Sequence, residues 1–329
     1  MKIKSLIVAL AALLLGNFTT YAQDLNEVKK MFNEAATTLK AKNYTEALTM
    51  LEKTVEAAFN ADAMDIAEKA QKYIPECYYR LGGQSVNAGN LNEALDYFKK
   101  ANETALLYNA GATARKAKNA ISGTYKSLGA DSYNNGDYAT AVSFFSQGYE
   151  ANPQDTDLAL YLANSYCQLK DFENGVQVYT NIIALGQSNS RFAEHAGKAK
   201  EELTNHLLVK AQEENLAGNK EAAYATLETL INADPMNTGN QMYRLQLAGS
   251  HEDWDNIIAW GEMAAAFMTT PEQQSEVYYL MAVANDSKNN NQVAVDTYKL
   301  VVAGDKVEAA QKRIAELEAF IKAEKEANK

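Results

Sequence analysis

A short polar segment recurs at near-regular intervals along this chain of 329 residues. The clearest copies begin at Asn43, Asn90 and Asp137, and each ends in an alanine four residues later. Looser copies follow at 171–175 and 219–223, and then around 253–254 and 290–291. Each copy separates two amphipathic helical stretches. A unit of this kind cannot bury its apolar face alone and must stack on its neighbours, so the recurrence predicts an array of helical repeats.

The last residue of each polar segment defines a common register along the chain. These register residues are Ala47, Ala94, Ala141, Gly175, Ala223, Ile257 and Ala294. Twelve residues before them, six of the seven positions hold Gly or Ala. Four residues after them, the side chains are mostly large and apolar. Small residues that face large ones at fixed spacing indicate two helices in close contact within each repeat.

The intervals between register residues fall into two classes. Three intervals measure 47 or 48 residues, and the other three measure 34 to 37. Apolar residues in the long intervals keep a three-and-four spacing, which predicts that the first helices of the second, third and fifth repeats each gain close to four turns. A looped insertion is the alternative. Pro75 is expected to kink the second repeat's long helix or to mark a fresh start.

The third repeat resembles the tetratricopeptide repeat, a family whose 34-residue unit is a pair of antiparallel helices. The matching residues are Tyr125, Leu128-Gly129, Gly136-Asp137-Tyr138, Ala141, Phe145 and Asn152-Pro153. The second repeat matches the same pattern but lacks the closing proline. The resemblance covers most of residues 24–304 and implies an all-α, right-handed superhelical solenoid of about seven helix pairs.

The first 22 residues have the pattern of a cleavable export signal. Lys2 and Lys4 precede an unbroken apolar run of ten residues, and Ala22 is the last small residue before Gln23. Ten residues span about 15 Å as a helix, roughly half of a bilayer core, which favours cleavage after Ala22 over an anchor. We therefore expect a soluble, exported chain, periplasmic in a Gram-negative cell, with no stable membrane insertion.

The chain is expected to have three parts, namely the signal at 1–22, the solenoid at 23–304 and a C-terminal helix at 305–329. The last part is rich in Ala, Glu and Lys. Its apolar stripe consists of Val307, Ala310, Ile314, Leu317, Phe320 and Ile321. The stripe predicts a helix that caps the last repeat. A partner-binding coiled coil is the alternative.

Composition and motifs narrow the classes of function. The net charge of −11 disfavours nucleic acid and anionic lipid as partners, because both require basic surface. The three histidines and two cysteines have no metal-site spacing, and no phosphate loop or nucleophile motif is present. We therefore predict no cofactor, no metal and no catalytic residue. Cys77 and Cys167 lie two repeats apart, about 20 Å, which predicts two thiols and no disulfide.

The family resemblance implies that partners bind on a concave surface formed by the first helices. Residues fifteen, eleven and eight positions before each register residue are expected to line it. The candidate partner-binding residues on this face are Tyr79, Lys126, Tyr133, Asn164, Gln212 and Tyr279. Some family members grip a terminal carboxylate with a lysine and an asparagine one turn apart, and no repeat of this chain holds both. That mode of binding is therefore disfavoured.

The leading hypothesis is a non-enzymatic scaffold of the bacterial cell envelope that binds a peptide or protein partner in the concave groove. A glycan-binding component of a nutrient-uptake system is one alternative, favoured by exposed tyrosines that stack on sugar rings. A structural repeat protein that self-associates through its ends is another. The sequence leaves the partner and the oligomeric state open.

Overall fold

The computed structural model describes residues 25–327, so the predicted signal and its cleavage site lie outside the described residues. Within that range the chain forms fifteen α-helices, one short 3₁₀ helix and no strand. Contacts divide the chain into unit 1, which ends at Lys170, and unit 2, which begins at Asp171. The all-α repeat solenoid predicted from the sequence is confirmed.

Unit 1 contains three complete helix pairs and one further helix. Its helices are α1 (Leu25–Lys40), α2 (Tyr44–Asn60), α3 (Met64–Asn87), α4 (Leu91–Leu107), α5 (Gly111–Asn134), α6 (Tyr138–Ala151) and α7 (Thr156–Gln168). Each helix packs against the one before it. The first helices of successive repeats, α1, α3, α5 and α7, also contact one another in that order, so they form one layer of the unit.

Unit 2 continues the same alternation of helices and ends in a helix that is longer than the one before it. Its elements are α8 (Phe172–Ser188), the 3₁₀ helix Ser190–Phe192, α9 (Ala193–Leu216), α10 (Lys220–Ala233), α11 (Thr238–Ser250), α12 (Trp254–Phe267), α13 (Pro271–Ser287), α14 (Asn291–Tyr298) and α15 (Val307–Ala327). Consecutive helices are in contact throughout the unit.

The small-against-large packing predicted from the register is confirmed. All seven register residues are buried. A Cβ atom added to Gly82 would lie 2.6 Å from the Phe98 ring, and one added to Gly129 would lie 2.5 Å from the Phe145 ring. In the second and third repeats the two helices therefore approach so closely that only glycine leaves room for the aromatic ring.

The long intervals are helical, as predicted, but the added length is shared between two helices. The first helices α3, α5 and α9 have 24 residues against 13 in α7 and α11, a difference of eleven residues or about three turns. The prediction of close to four turns was therefore too long. The remainder lies in the preceding second helices, because α2, α4 and α8 have 17 residues and α6 and α10 have 14.

Packing at the ends of these helices accounts for the shared length. Ala57 and Ala58, in the last turn of α2, form one buried cluster with Ile66 and Ala67 in the first turn of α3. Both extensions are therefore needed to close the same apolar cluster. The longer helix α3 runs without interruption through Pro75, so the fresh start considered for this position was wrong.

The recurring polar turns share one backbone conformation. In each repeat the residue five positions before the register residue has φ between 53° and 79°. These left-handed residues are Lys42, Gly89, Gly136, Lys170, Gly218, Glu252 and Asn289. The left-handed conformation ends one helix and turns the chain toward the next, which is why polar residues and glycine recur there.

The C-terminal helix α15 packs against the end of unit 2. Ala310 and Leu317 form a buried cluster with Ala294 and Tyr298. Phe320, which the predicted stripe included, is 56% exposed, because Ile321 and not Phe320 continues the helix face of Leu317.

Two further predictions concern the cysteines and the membrane. Cys77 and Cys167 are buried thiols, so the prediction that they form no disulfide is confirmed. Among the described residues, none of the helices combines the length and the apolar character needed to cross a membrane.

Candidate partner-binding groove

One groove of unit 1 lies along α3 and α5 and encloses about 620 Å³. Tyr79, Gly83 and Val86 line it from α3, and these are the three residues that the register assigned to the inward face of the second repeat. Gly123 and Ser127 line it from α5. The register therefore identified the α3 wall of a groove that the structure contains.

Two glycines keep the groove open. A Cβ atom added to Gly83 or Gly123 would meet no heavy atom within 4 Å. Both residues lie inside long helices, where glycine costs about 0.5–1 kcal/mol relative to alanine. Their cost has no compensation in packing, whereas Gly82 is required by the Phe98 ring. The open space in this groove thus results from glycine at positions 83 and 123, and packing does not require glycine at either position.

Tyr79 is a fixed aromatic wall of the groove. Its ring lies 5.7 Å from the Phe98 ring, centre to centre, and the Lys116 ammonium lies 5.9 Å from its ring centre. Contacts on two sides restrict the rotamers of the half-buried ring. A side chain held in this way loses little entropy when a ligand packs against it.

The groove is basic on a protein that is acidic as a whole. Among the described residues that line it, Lys42 and Arg80 are cations, and none is an acid. Arg80 donates from Nε to Glu76 Oε1 at 2.8 Å, which neutralises part of this charge. Gln84, Asn87 and the hydroxyl groups of α5 supply further polar atoms at the rim.

Lys126 is engaged within the protein. Its ammonium forms an ion pair with Asp157, in the first turn of α7. Burial opposes the charged form, but the Asp157 and Asp155 carboxylates outweigh burial and raise the pKa of Lys126 above its usual range. Lys126 therefore links α5 to α7, and a partner that used it would compete with Asp157.

Tyr133 belongs to an aromatic cluster that joins α5, α6 and α7. Its ring centre lies 5.5 Å from that of Tyr138, 6.3 Å from that of Phe145 and 5.3 Å from that of Tyr161. Tyr161 is the exposed member of the cluster, and the register missed it. The register instead assigned Leu160 to this face, and Leu160 is buried in the core. The position fourteen residues before the register residue is exposed in α3, α5 and α9 as well, and the register did not include it.

The remaining candidates are distributed over both units. Asn164 is half-buried on α7, and Gln212 is exposed on α9. Tyr279 is half-buried on α13, and its ring packs edge-on against Tyr298 at 5.7 Å, next to the cluster that α15 covers. Of the six candidates only Tyr79 lines the groove of unit 1, and partner contact by all six residues stays a prediction.

The titratable residues of the described chain give no sign of a metal centre. Across residues 25–327, no group of three or more His, Cys, Asp or Glu side chains is arranged to hold an ion. Burial lowers the pKa of His206, whose ring lies 6.3 Å from that of Tyr179.

One family model and several solved structures are similar to this chain. The tetratricopeptide repeat family matches residues 133–200. The chain is similar to the crystal structure of the P58(IPK) TPR domain, with 15% identity, 91% of this chain and 99% of that chain covered, and a TM-score of 0.31. It is similar to a tetratricopeptide repeat protein from Parabacteroides merdae, with 14% identity, coverage of 89% and 99%, and a TM-score of 0.27. For the TPR2AB domain of yeast Sti1 in a pHSP90 complex, identity is 14%, coverage is 74% and 98%, and the TM-score is 0.29. Comparison with curated protein sequences gave no match.

Proposed function

We propose that this chain is a tetratricopeptide-repeat protein, as the family match at residues 133–200 indicates, and that it is a non-enzymatic interaction scaffold whose unit 1 groove binds an extended segment of a partner protein. The observation that carries the proposal is the groove of about 620 Å³ along α3 and α5. Ligand sites in proteins are typically concave and few, and this groove is the size of such sites.

The chemistry of the groove fits an extended peptide. Tyr79 and Val86 provide apolar contact for a side chain, and Gly83 and Gly123 let a backbone approach the helices. Gln84, Asn87 and Ser127 supply donors and acceptors for the peptide's backbone N–H and C=O groups. The absence of acids among the described lining residues favours a segment that carries a carboxylate.

The predicted export signal supports a place in the cell envelope. A scaffold that leaves the cytoplasm with a cleaved signal, in a Gram-negative cell, meets its partner in the periplasm. The partner is then another exported protein or the periplasmic part of a membrane protein.

Filling the groove tests the proposal directly. The double variant Gly83→Met, Gly123→Met places two side chains in open space, so the fold is expected to tolerate both. Gly197→Met is the matched control, because Gly197 lies in the equally long helix α9, also has no heavy atom within 4 Å of an added Cβ, and is far from this groove in sequence. In-cell crosslinking, affinity capture and mass spectrometry would identify the partners of each protein.

We expect the double variant to lose its main partner and the Gly197→Met control to keep it. A synthetic peptide from the captured partner should then bind the double variant at least about ten times more weakly, the effect of about 1.4 kcal/mol of lost contact. Equal capture by both variants would remove the groove of unit 1 as the binding site.

A further inference from the structure

Three neighbouring side chains of α11, in unit 2, are buried with donors that have no acceptor. Asn240, Gln241 and Arg244 are 3%, 1% and 6% exposed. The unpartnered atoms are Asn240 Nδ2, Gln241 Nε2 and Arg244 Nε, and all three carry N–H groups. Arg244 Nη2 donates to Gln241 Oε1 at 3.5 Å, and among the described residues Arg244 forms no ion pair. Buried donors are nearly always satisfied in folded proteins, so three together require an explanation.

The repeat register shows that these residues replace core side chains. They stand seventeen, sixteen and thirteen positions before Ile257, the register residue of the sixth repeat. The same three positions hold Leu158, Ala159 and Leu162 in the fourth repeat and Val277, Tyr278 and Met281 in the seventh. The polar trio is therefore particular to the sixth repeat.

The fifth repeat shows how a cation at such a position is normally compensated. Lys210 stands thirteen positions before Ala223, where the sixth repeat has Arg244. Lys210 forms an ion pair with Glu214 and donates to the Thr226 hydroxyl at 2.6 Å. The cation of the fifth repeat thus forms an ion pair, whereas the more deeply buried cation of the sixth repeat has no ion pair among the described residues and interacts with the Glu228 carboxylate only through its charge.

Aromatic rings partly stabilise the Arg244 guanidinium. Its Cζ atom lies 4.5 Å from the centre of the Trp260 ring, and Trp260 packs edge-on against Tyr224 of α10 at 5.1 Å. A cation over an aromatic face gains electrostatic energy. The ring is not, however, a hydrogen-bond acceptor for the N–H groups that lie in the plane of the guanidinium. The charge is therefore covered on one side, and its donors still lack an oxygen.

We propose that Asn240, Gln241 and Arg244 form a carboxylate-binding site. A carboxylate offers two planar acceptor oxygens that match the edge of a guanidinium, and the two amides bind its remaining lone pairs. Glu228, Glu221 and Asp253 face this region from α10 and the turn before α12, so a doubly charged phosphate is disfavoured. The site lies in unit 2 and is independent of the groove proposed above.

Trp260 provides a local signal for binding. The chain has two tryptophans, so the variant Trp254→Phe leaves Trp260 as the only one. Sodium acetate is the first probe, with sodium chloride at equal ionic strength as the reference and inorganic phosphate as the competing anion. We expect a saturable change in Trp260 fluorescence with acetate alone. At ten times the dissociation constant the melting temperature should rise by about 3 °C.

Arg244→Leu is the decisive variant, because leucine occupies this position in the second, third and fourth repeats. Replacing a buried charge with a fitting apolar side chain is often neutral or stabilising, so the variant is expected to fold. It should show no response to acetate. The matched control Arg115→Leu removes an exposed arginine of α5 and should keep the full response.

A titration with a peptide distinguishes the two possible sources of the carboxylate, a partner protein and a free small acid. An acetylated Gly-Glu-Gly amide that acts at tenfold lower concentration than acetate, while its Gln counterpart is silent, identifies the carboxylate of a partner protein. Equal potency of peptide and acetate identifies a free small acid.

Three results would overturn the proposal. One is the absence of a saturable acetate response in the parent protein, and another is the same response in Arg244→Leu. The third combines two observations: the melting temperature falls in Glu228→Gln but not in Arg244→Leu, and acetate has no effect on either variant. This result would make Glu228 the intramolecular counter-ion of Arg244.

Discussion

Gly82 and Gly83 are adjacent in α3 and have opposite surroundings. A Cβ atom on Gly82 would lie 2.6 Å from the Phe98 ring, and one on Gly83 would meet nothing within 4 Å. We expect Gly82→Ala to destabilise the protein by about 1–3 kcal/mol through overpacking. Gly83→Ala should stabilise it by about 0.5–1 kcal/mol, because alanine loses less backbone entropy in a helix. Urea denaturation measures both, and changes of the same sign would refute the assigned packing.

Cys77 illustrates how burial controls the reactivity of a thiol. Burial, with the Glu76 and Glu52 carboxylates, raises its pKa to about 12. At pH 8 the thiolate fraction is then about a thousandfold lower than in the unfolded chain, and only the thiolate reacts. In a Cys167→Ala background, we expect 5,5′-dithiobis(2-nitrobenzoate) to label Cys77 at the rate of global unfolding. Rapid labelling of the folded protein would contradict this burial.

At the scale of single elements, α15 offers a matched pair of substitutions. Leu317 is 3% exposed in the cluster with Tyr298, and Phe320 is 56% exposed on the same helix. Leu317→Ala should lower the free energy of unfolding by about 2–4 kcal/mol through the cavity it leaves. Phe320→Ala should change it by less than about 0.5 kcal/mol. Chemical denaturation of both variants checks the orientation of the helix, and a larger loss from Phe320→Ala would mean that its face was assigned wrongly.

The sequence predicts helices well where periodicity and register act together. The pairings of Gly82 with Phe98 and of Gly129 with Phe145 followed from spacing alone, because a fixed repeat fixes which residues face each other. Division of the added length between α2 and α3 was not predictable, since it depends on Ala57 and Ile66 closing a shared cluster. A contact that does not recur at a fixed register position leaves no periodic pattern in the sequence.

The candidate groove was predictable only in part, for the same reason. Tyr79 lines it as the register indicated. Lys126 was expected to face a partner, but it pairs with Asp157, thirty-one residues later. Tyr161 was missed because the register did not include the exposed position fourteen residues before each register residue. The pairing of side chains between neighbouring repeats cannot be predicted from the sequence pattern and is visible only in the three-dimensional structure.

For the whole chain, the export signal makes a prediction that mass spectrometry can check. When the full-length sequence is expressed in a Gram-negative host, the mature chain should appear in the periplasm with Gln23 as its first residue. Ala22→Leu should still be exported but should keep its signal, because the cleavage site requires a small residue before the cut. The parent chain, expressed beside it, is the control. Intact parent chain in the cytoplasm would contradict the assignment.

The left-handed turn residues allow a second test at this scale. Lys42 in unit 1 and Glu252 in unit 2 have φ of 65° and 53°, a conformation that costs a non-glycine residue about 1 kcal/mol. We expect Lys42→Gly and Glu252→Gly to stabilise the protein by about 0.5–1 kcal/mol each, and their effects to add because the sites are distant. Glycine at Gly89, Gly136 and Gly218 shows that the turn accepts it. Thermal melts of the single and double variants check this, and a loss of stability in either single variant would contradict it.

The shared turn conformation also has an evolutionary consequence. Because all seven turns inside the helix pairs place their left-handed residue at the same register position, each stretch from one such turn to the next begins and ends with the same backbone conformation. A gene duplication or deletion of one whole stretch of this kind therefore joins ends that already match, and the flanking helices need no new connection. The number of repeats in this chain can then change during evolution without any change in the sequence of the individual repeats.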